Sequence, residues 1–171
     1  DVPRLPGHEA APTGSQAPDD PTVTAPRRAS LAVMPFANLT PASAEWGGTA
    51  DALAHDIITR LAQLRSLLVI AQGTVFALAE RDIGPDEAGR LLNVDYVVSG
   101  TVRRQDQRLI VTAELIETRN AHIVWAEIFD RSLDDALLVL DDIGSLIVAT
   151  TASEIETAER NRAILKPPNS L

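Results

Sequence analysis

Residues 96–117 read YVVSGTVRRQDQRLIVTAELIE. Two alternating runs flank Gln105-Asp106-Gln107-Arg108, which predicts a hairpin of antiparallel strands, Tyr96–Arg104 and Arg108–Glu117. A two-residue loop at Asp106-Gln107 sets Val102 against Val111, Gly100 against Ala113 and Val98 against Leu115. One face is then wholly small or aliphatic. That face is the core face, and a slip of one residue would turn all of these side chains to the other side.

A third strand, Ile123–Asp130, is predicted after a turn at Thr118–Ala121, with Asn120 expected in the left-handed backbone conformation. The same counting sets Ala113 against Ala126 and Leu115 against Val124. The second face would then carry Ser99, Thr101, Arg103, Thr112, Glu114, Trp125, Glu127 and Phe129. Ser99 stands opposite Glu114, and Thr112 opposite Glu127. Polar groups mixed with aromatics suit a small-molecule or partner surface, and two glutamates raise the question of acid–base chemistry. A face half solvated and half covered by the last helix explains the same residues and carries more weight.

Upstream, Leu31–Phe36 (LAVMPF) is a nearly continuous apolar run, as in a strand covered on both faces. Asn38 follows it, either as a ligand position past a strand end or as a corner closed by an Asx-type turn. Thr49–Leu64 has a helical stripe through Leu53, Ile57 and Leu61. Leu67–Ala71 reads as a strand and Thr74–Glu80 as a short helix. Gly84-Pro85-Asp86-Glu87 opens another helix that stops near Asn93. A long last helix is expected from Ser132, where Ser132-Leu133-Asp134-Asp135 resembles a capping box. Its inner stripe is Leu133, Leu137, Leu140, Ile143 or Gly144, and Ile147, and Pro167-Pro168 ends it. The order β-α-β-α-α-β-β-β-α predicts an α+β (α/β) fold, a mixed sheet of about five strands packed with helices.

Of the 171 residues, 45% are apolar but only 4% aromatic, so the core is aliphatic. A net charge of −9 argues against direct nucleic-acid binding, which needs clustered Lys and Arg. The absence of cysteine removes disulfides, thiolate nucleophiles and cysteine zinc sites, and fits a cytoplasmic setting while leaving a periplasmic one open. No apolar run approaches the ~18 residues of a membrane span. The chain does not begin with Met and has no signal-peptide pattern, so it reads as a piece of a larger protein.

Residues 1–29 hold six of the eleven prolines without any period and read as a flexible linker. Residues 30–150 form the α/β domain, and 151–171 a helical lead-in to whatever follows. No glycine-rich phosphate loop is present; Gly47-Gly48 reads as a turn. His8 falls in the linker and His122 beside a turn. His55 is one helical turn after Asp51, and without a third ligand or a nucleophile in register it reads as half of a solvated helix pair. No cofactor and no metal is called for.

SLAVMPFANLT, TADALAHDIITRLAQLRSLLVIA, AGRLLNVDYVVSGTVRR and RLIVTAELIETRNAHIVWAEIFDR, in that order over residues 30–150, resemble the TolB amino-terminal-like (FlgO-like) domain of bacterial multidomain regulators. In that family the domain usually sits between an effector, either a winged-helix DNA-binding domain or a class III cyclase, and tetratricopeptide repeats. Pro35, Phe36 and Asn38 match the family's Pro-Phe-x-Asn. Asp51 and Asp56 match acidic positions of its first helix. Gly100, Arg103 and Arg104 match its Gly-x-Val-Arg-Arg, and Trp125, Glu127, Asp130 and Arg131 its Trp-Ala-Glu-x-x-Asp-Arg. His55 stands where the family usually has Glu, Ala52 where it has Gly, and Asn120 at its turn Gly. These departures weigh against a shared acidic site on the first helix, not against the fold.

The resemblance implies a non-catalytic regulatory or protein-interaction domain of a transcriptional regulator. The alternatives are the regulatory domain of an adenylate or guanylate cyclase, and an envelope or flagellar assembly domain. The expected contact residues are Asn38, Ser99, Thr101, Thr112, Glu114, Trp125 and Glu127. The expected partners are the protein's own neighbouring domains, other proteins, an unknown small molecule or a second copy, but neither nucleic acid nor membrane.

Overall fold

The computed structural model describes residues 27–40 and 47–165. Of the linker assigned to residues 1–29, the first 26, His8 among them, lie outside the described residues, as does the helix stop at Pro167-Pro168; its last residue, Ala29, already belongs to the first strand. The elements run β1 (Ala29–Val33), β2 (Ala37–Asn38), α1 (Gly47–Ala62), β3 (Leu67–Val69), α2 (Gln72–Glu80), α3 (Pro85–Leu92), β4 (Tyr96–Gln105), β5 (Arg108–Glu117), β6 (His122–Ser132) and α4 (Ala136–Leu165). They form one mixed sheet in the order β3-β1-β4-β5-β6, with the two-residue β2 also paired to β4. β1 is parallel to β3 and β4, while β4, β5 and β6 form an antiparallel meander.

β1 explains its own composition. Leu31 and Val33 enter a core built with Leu53, Ile57 and Leu61 of α1 and Ile143, Ile147 and Ile155 of α4. The alternate residues Ala32 and Met34 point to the other side, where Val75 of α2 and Ala88 of α3 pack with Val94 and Val97. With helices on both faces the strand is apolar from Leu31 on; Ser30, before that, donates from its hydroxyl and its amide to the Asp95 carboxylate.

At Pro35, where the ladder can receive no N–H, the strand breaks. Three residues separate Val33 from Ala37, against two between their partners Val98 and Thr101 on β4. Met34 N still donates to Val98 O, and Leu39 N to Val102 O, both at 2.8 Å. The extra residue folds the buried Phe36 ring over Gly100. A Cβ on Gly100 would stand 2.2 Å from the Thr112 carbonyl oxygen and 2.9 Å from the Phe36 ring, so glycine is required there.

The β4–β5 register is the expected one: Val102↔Val111, Gly100↔Ala113 and Val98↔Leu115. Asp106 takes the left-handed conformation at the turn, with φ 55°. In the second turn the left-handed residue is Ala121 (φ 51°), not Asn120. α3 has Pro85 in its first turn and a left-handed Asn93 (φ 53°) as its C-cap, the asymmetry that Pro and Asn favour.

α4 starts later than Ser132. β6 runs through Ser132, and Leu133 N donates to Gln107 O, so strand pairing takes the backbone that a capping box would have used. Asp135 caps instead, its side chain accepting from Leu138 N at 3.3 Å. The change of start turns Leu137 outward, to 79% exposure, although it was expected on the inner stripe. Beyond Leu140 the buried stripe is Ile143, Gly144, Ile147, Thr151 and Ile155, and the helix runs unbroken through position 150. Arg60 of α1 ties the two helices: it bonds Asp56 on its own helix, and Asp141 and Ser145 on α4.

Candidate functional site on the open face of the meander

Which β6 residues belong to the open face depends on one irregularity. Glu117↔His122 and Ile116↔Ile123 pair as the turn dictates, but the next pair is Leu115↔Trp125. Val124 is left without a partner, as the extra residue of a β-bulge. From there on the register is one residue off the simple count: Ala113 faces Glu127, Thr112 faces Ile128 and Val111 faces Phe129. Cross-strand partners share a face, so Trp125, Glu127 and Phe129 lie on the core side with Leu115, Ala113 and Val111. This corrects the assignment of these three residues to the second face, and the pairing of Thr112 with Glu127.

Phe129 is fully buried and Trp125 packs against the core from its margin. Glu127 remains exposed although it is on the inner side. It can be so because β6 is the edge strand, and a side chain there reaches water past the helix. Burying Phe129 supplies about 2–3 kcal/mol, which the simple register would forgo.

The open face therefore has three rows across β4, β5 and β6. Ser99, Glu114 and Ala126 form one, Thr101, Thr112 and Ile128 the next, and Arg103, Ile110 and Asp130 the third. Ser99 Oγ donates to Glu114 Oε1 at 3.4 Å, a long contact. Ile128, at the edge-strand end of the middle row, is 68% exposed. α2 and α3 cover this side only over Ala32, Met34 and Val97, short of the meander rows. Of the expected contact residues, Ser99, Thr101, Thr112 and Glu114 come together here, and Trp125 and Glu127 do not.

Glu114 and Glu127 lie on opposite faces of the sheet. They cannot flank one substrate, so the two-carboxylate chemistry has no geometry to act through. Asn38 is exposed at the end of β2, and its Oδ1 accepts the Thr40 amide at 3.0 Å. Thr40 Oγ1 in turn accepts Arg104 N at 2.7 Å. The residue closes an Asx turn and fastens the corner to β4. His55 Nδ1 lies 2.7 Å from Gln72 Oε1, so its partner is on α2, not Asp51. Among the described residues no group of three or more His, Asp and Glu is placed to hold a metal.

One polar cluster has no precedent in the linear sequence. The buried Tyr96 hydroxyl donates to Glu159 Oε1 at 2.8 Å. Arg162 bridges Glu159 at 3.3 Å and the nearly buried Glu117 at 2.5 Å, and His122 Nε2 is 3.3 Å from Glu117. Burial first, then the bond to Glu159, push the Tyr96 hydroxyl well above the ordinary tyrosine range. The cluster joins the central strand β4 to the far end of α4. Its one sequence signal is Glu159 and Arg162 at helical spacing; their partners are too distant in the chain to be inferred.

Comparison with known proteins places this geometry. A family model described as the HilA/YgeH-like transcriptional regulator, second domain, matches residues 27–146. A Rhizobium meliloti (strain 1021) protein named putative adenylate cyclase 3 is 34% identical over 143 residues, which cover 84% of this chain and 24% of that protein. The chain thus spans about a quarter of that relative's length. Among solved structures, TolB from Acinetobacter baumannii superposes with a TM-score of 0.55 at 12% identity, over 75% of this chain and 28% of that one. A Xanthomonas campestris protein superposes with a TM-score of 0.52, also at 12% identity, over 78% of this chain and 89% of its own. At such identities these structures speak for the fold alone.

Proposed function

The chain belongs to the HilA/YgeH-like family of regulator second domains, with a TolB-like fold, and from that premise we propose that it is a non-catalytic relay domain of a larger bacterial regulator. The observation that carries the reading is reuse. One module matches the second domain of transcriptional regulators and about a quarter of a protein named as a cyclase. A module found with effectors of unrelated chemistry serves best as a transmitter of state between neighbours. Its partners are then the domains of its own polypeptide, and the uncovered meander face is the surface available to them. Residues 1–29 act as the tether to the effector, and residues 151–171 lead toward helical repeats. The setting is cytoplasmic.

A transcriptional regulator is the first reading, because the family description names one. A cyclase is the second, favoured by the 34% identity to the Rhizobium protein. Expressing the whole gene product and this chain side by side separates them. The whole protein should retain promoter DNA or convert ATP to cyclic AMP, and the chain alone should do neither. Turnover of ATP by the chain alone, or its nanomolar retention of DNA at physiological salt, would overturn the relay reading.

A further inference from the structure

We propose that the hollow between the start of β1 and the second half of α4 is a binding site for a small amphipathic anion, a carboxylate carried on an apolar body. The hollow measures 640 Å³, within the range of organic-ligand sites, roughly 300–1,000 Å³. Its walls include Leu64 and Leu67, at the junction of α1 and β3, and Ala152 and Ile155 of α4. These give an apolar body something to displace water from.

The charges around it are unequally committed. Arg27 is paired with Asp95 at 3.0 Å. Glu156 is paired with Arg160 at 2.9 Å, and Glu159 is held by Tyr96 and Arg162. Arg28 and Arg65 also border the hollow, and among the described residues neither has an ion-pair or hydrogen-bond partner. Among the described residues each carboxylate at this site thus has a partner, and these two guanidinium groups have none. A guanidinium is a planar fork of N–H donors that matches a carboxylate. In a chain with 24 acidic and 15 basic residues, two arginines without a partner among the described residues, beside an apolar hollow, select for negative charge. Two guanidinium groups beside two acidic residues that already have partners match one carboxylate better than a polyanion.

The position gives such binding a consequence. The chain enters the domain at Arg27–Ala29 and runs along the opposite wall as α4, so one ligand would touch both. Glu159 connects that wall to Tyr96 on β4. Only this consequence rests on the relay reading; the binding itself does not.

The test uses the full 171-residue chain and two series, sodium hexanoate, octanoate and decanoate against the matching 1-alkanols, below micellar concentrations, by titration calorimetry. Affinity should rise about fourfold per added methylene, and each alkanol should bind at least tenfold more weakly than its carboxylate. Arg65→Ser and Arg28→Ser should each weaken octanoate about tenfold and leave the alkanols unchanged. Ala152→Trp should abolish both while circular dichroism keeps the wild-type spectrum. No saturable binding by any carboxylate, equal binding of the alkanols, or undiminished binding in both arginine variants would each overturn the proposal. These outcomes are read on the chain alone. The relay reading stands or falls on the whole protein, so the two failures are distinguishable.

Discussion

β1 and β6 are strands of one sheet under opposite conditions. β1 has a strand on each side and helices on both faces, and its core residues Leu31, Ala32 and Val33 are fully buried. β6 is an edge strand covered on one face, where exposed Glu127 points inward and 68%-exposed Ile128 points outward. Full coverage makes polarity a reliable marker of environment. At a half-covered edge an inward residue can reach water and an outward one can be apolar, so polarity no longer tells the faces apart. The register there is carried by a bulge and by one buried ring.

Inserting an alanine after Val124 would break this comparison most severely. The bulge takes up one extra residue; a second slips the frame by one, and Phe129 and Trp125 swing to the open face. The loss should be about 4–5 kcal/mol, comparable to removing a core aromatic. Val124→Ala, which keeps the residue count, should cost only about 1 kcal/mol. Urea unfolding of the pair checks this, and similar losses in both would mean that the bulge does not hold the register.

Gly100 lies on β4, the strand shared by the parallel and antiparallel halves. Gly100→Ala puts a methyl against the Thr112 carbonyl, which is backbone and resists movement, and against the buried Phe36 ring. About 3 kcal/mol of destabilisation is expected. A melting temperature within a degree or so of wild type would show that the two halves can part at this seam.

Tyr96 tests how α4 is fastened to that strand. Its folded-state pKa is raised, so the fold favours the neutral hydroxyl. The sign follows: its contribution is complete below the unfolded value of about 10 and is lost as pH rises above it. Above about pH 10 wild type should lose stability more steeply than Tyr96→Phe, which should also be about 1 kcal/mol less stable at neutral pH. Parallel profiles for the two proteins would remove Tyr96 from the alkaline transition.

The same contrast governs what was legible in the sequence. LAVM announced a doubly covered strand, and Asp106-Gln107 fixed the first hairpin, because a turn sets register locally. Ile123-Val124-Trp125 is apolar at three successive positions and so contains no alternation from which to find a frame. The charge on Glu127 then favoured the wrong one. Ser132 was misread as a cap because it pairs with Arg108 in the sheet and the next amide, Leu133 N, donates to Gln107 O, partners on the far side of the second hairpin. Ser99, Thr101, Thr112 and Glu114 were placed together correctly, since they depend only on the first hairpin. The Tyr96–Glu159–Arg162–Glu117 cluster draws on three elements, and no local pattern links them.

The smallest effect is the one that defines the open face. Thr112 sits mid-strand on β5, between Thr101 and Ile128, so its position in the sheet is as central as that of Ala113 beside it. Burial separates the two: Ala113 is fully buried, and Thr112 is not. Thr112→Arg should change stability by no more than about 0.5 kcal/mol, because the long side chain extends into water. Ala113→Arg should prevent folding, because it places a charge in the core. Thermal melting of the two variants, made at adjacent positions with one substitution, measures the difference between the faces directly. A loss above about 2 kcal/mol for Thr112→Arg would mean that this side is covered within the chain itself, and the open surface assigned to the neighbouring domains would have to be sought elsewhere.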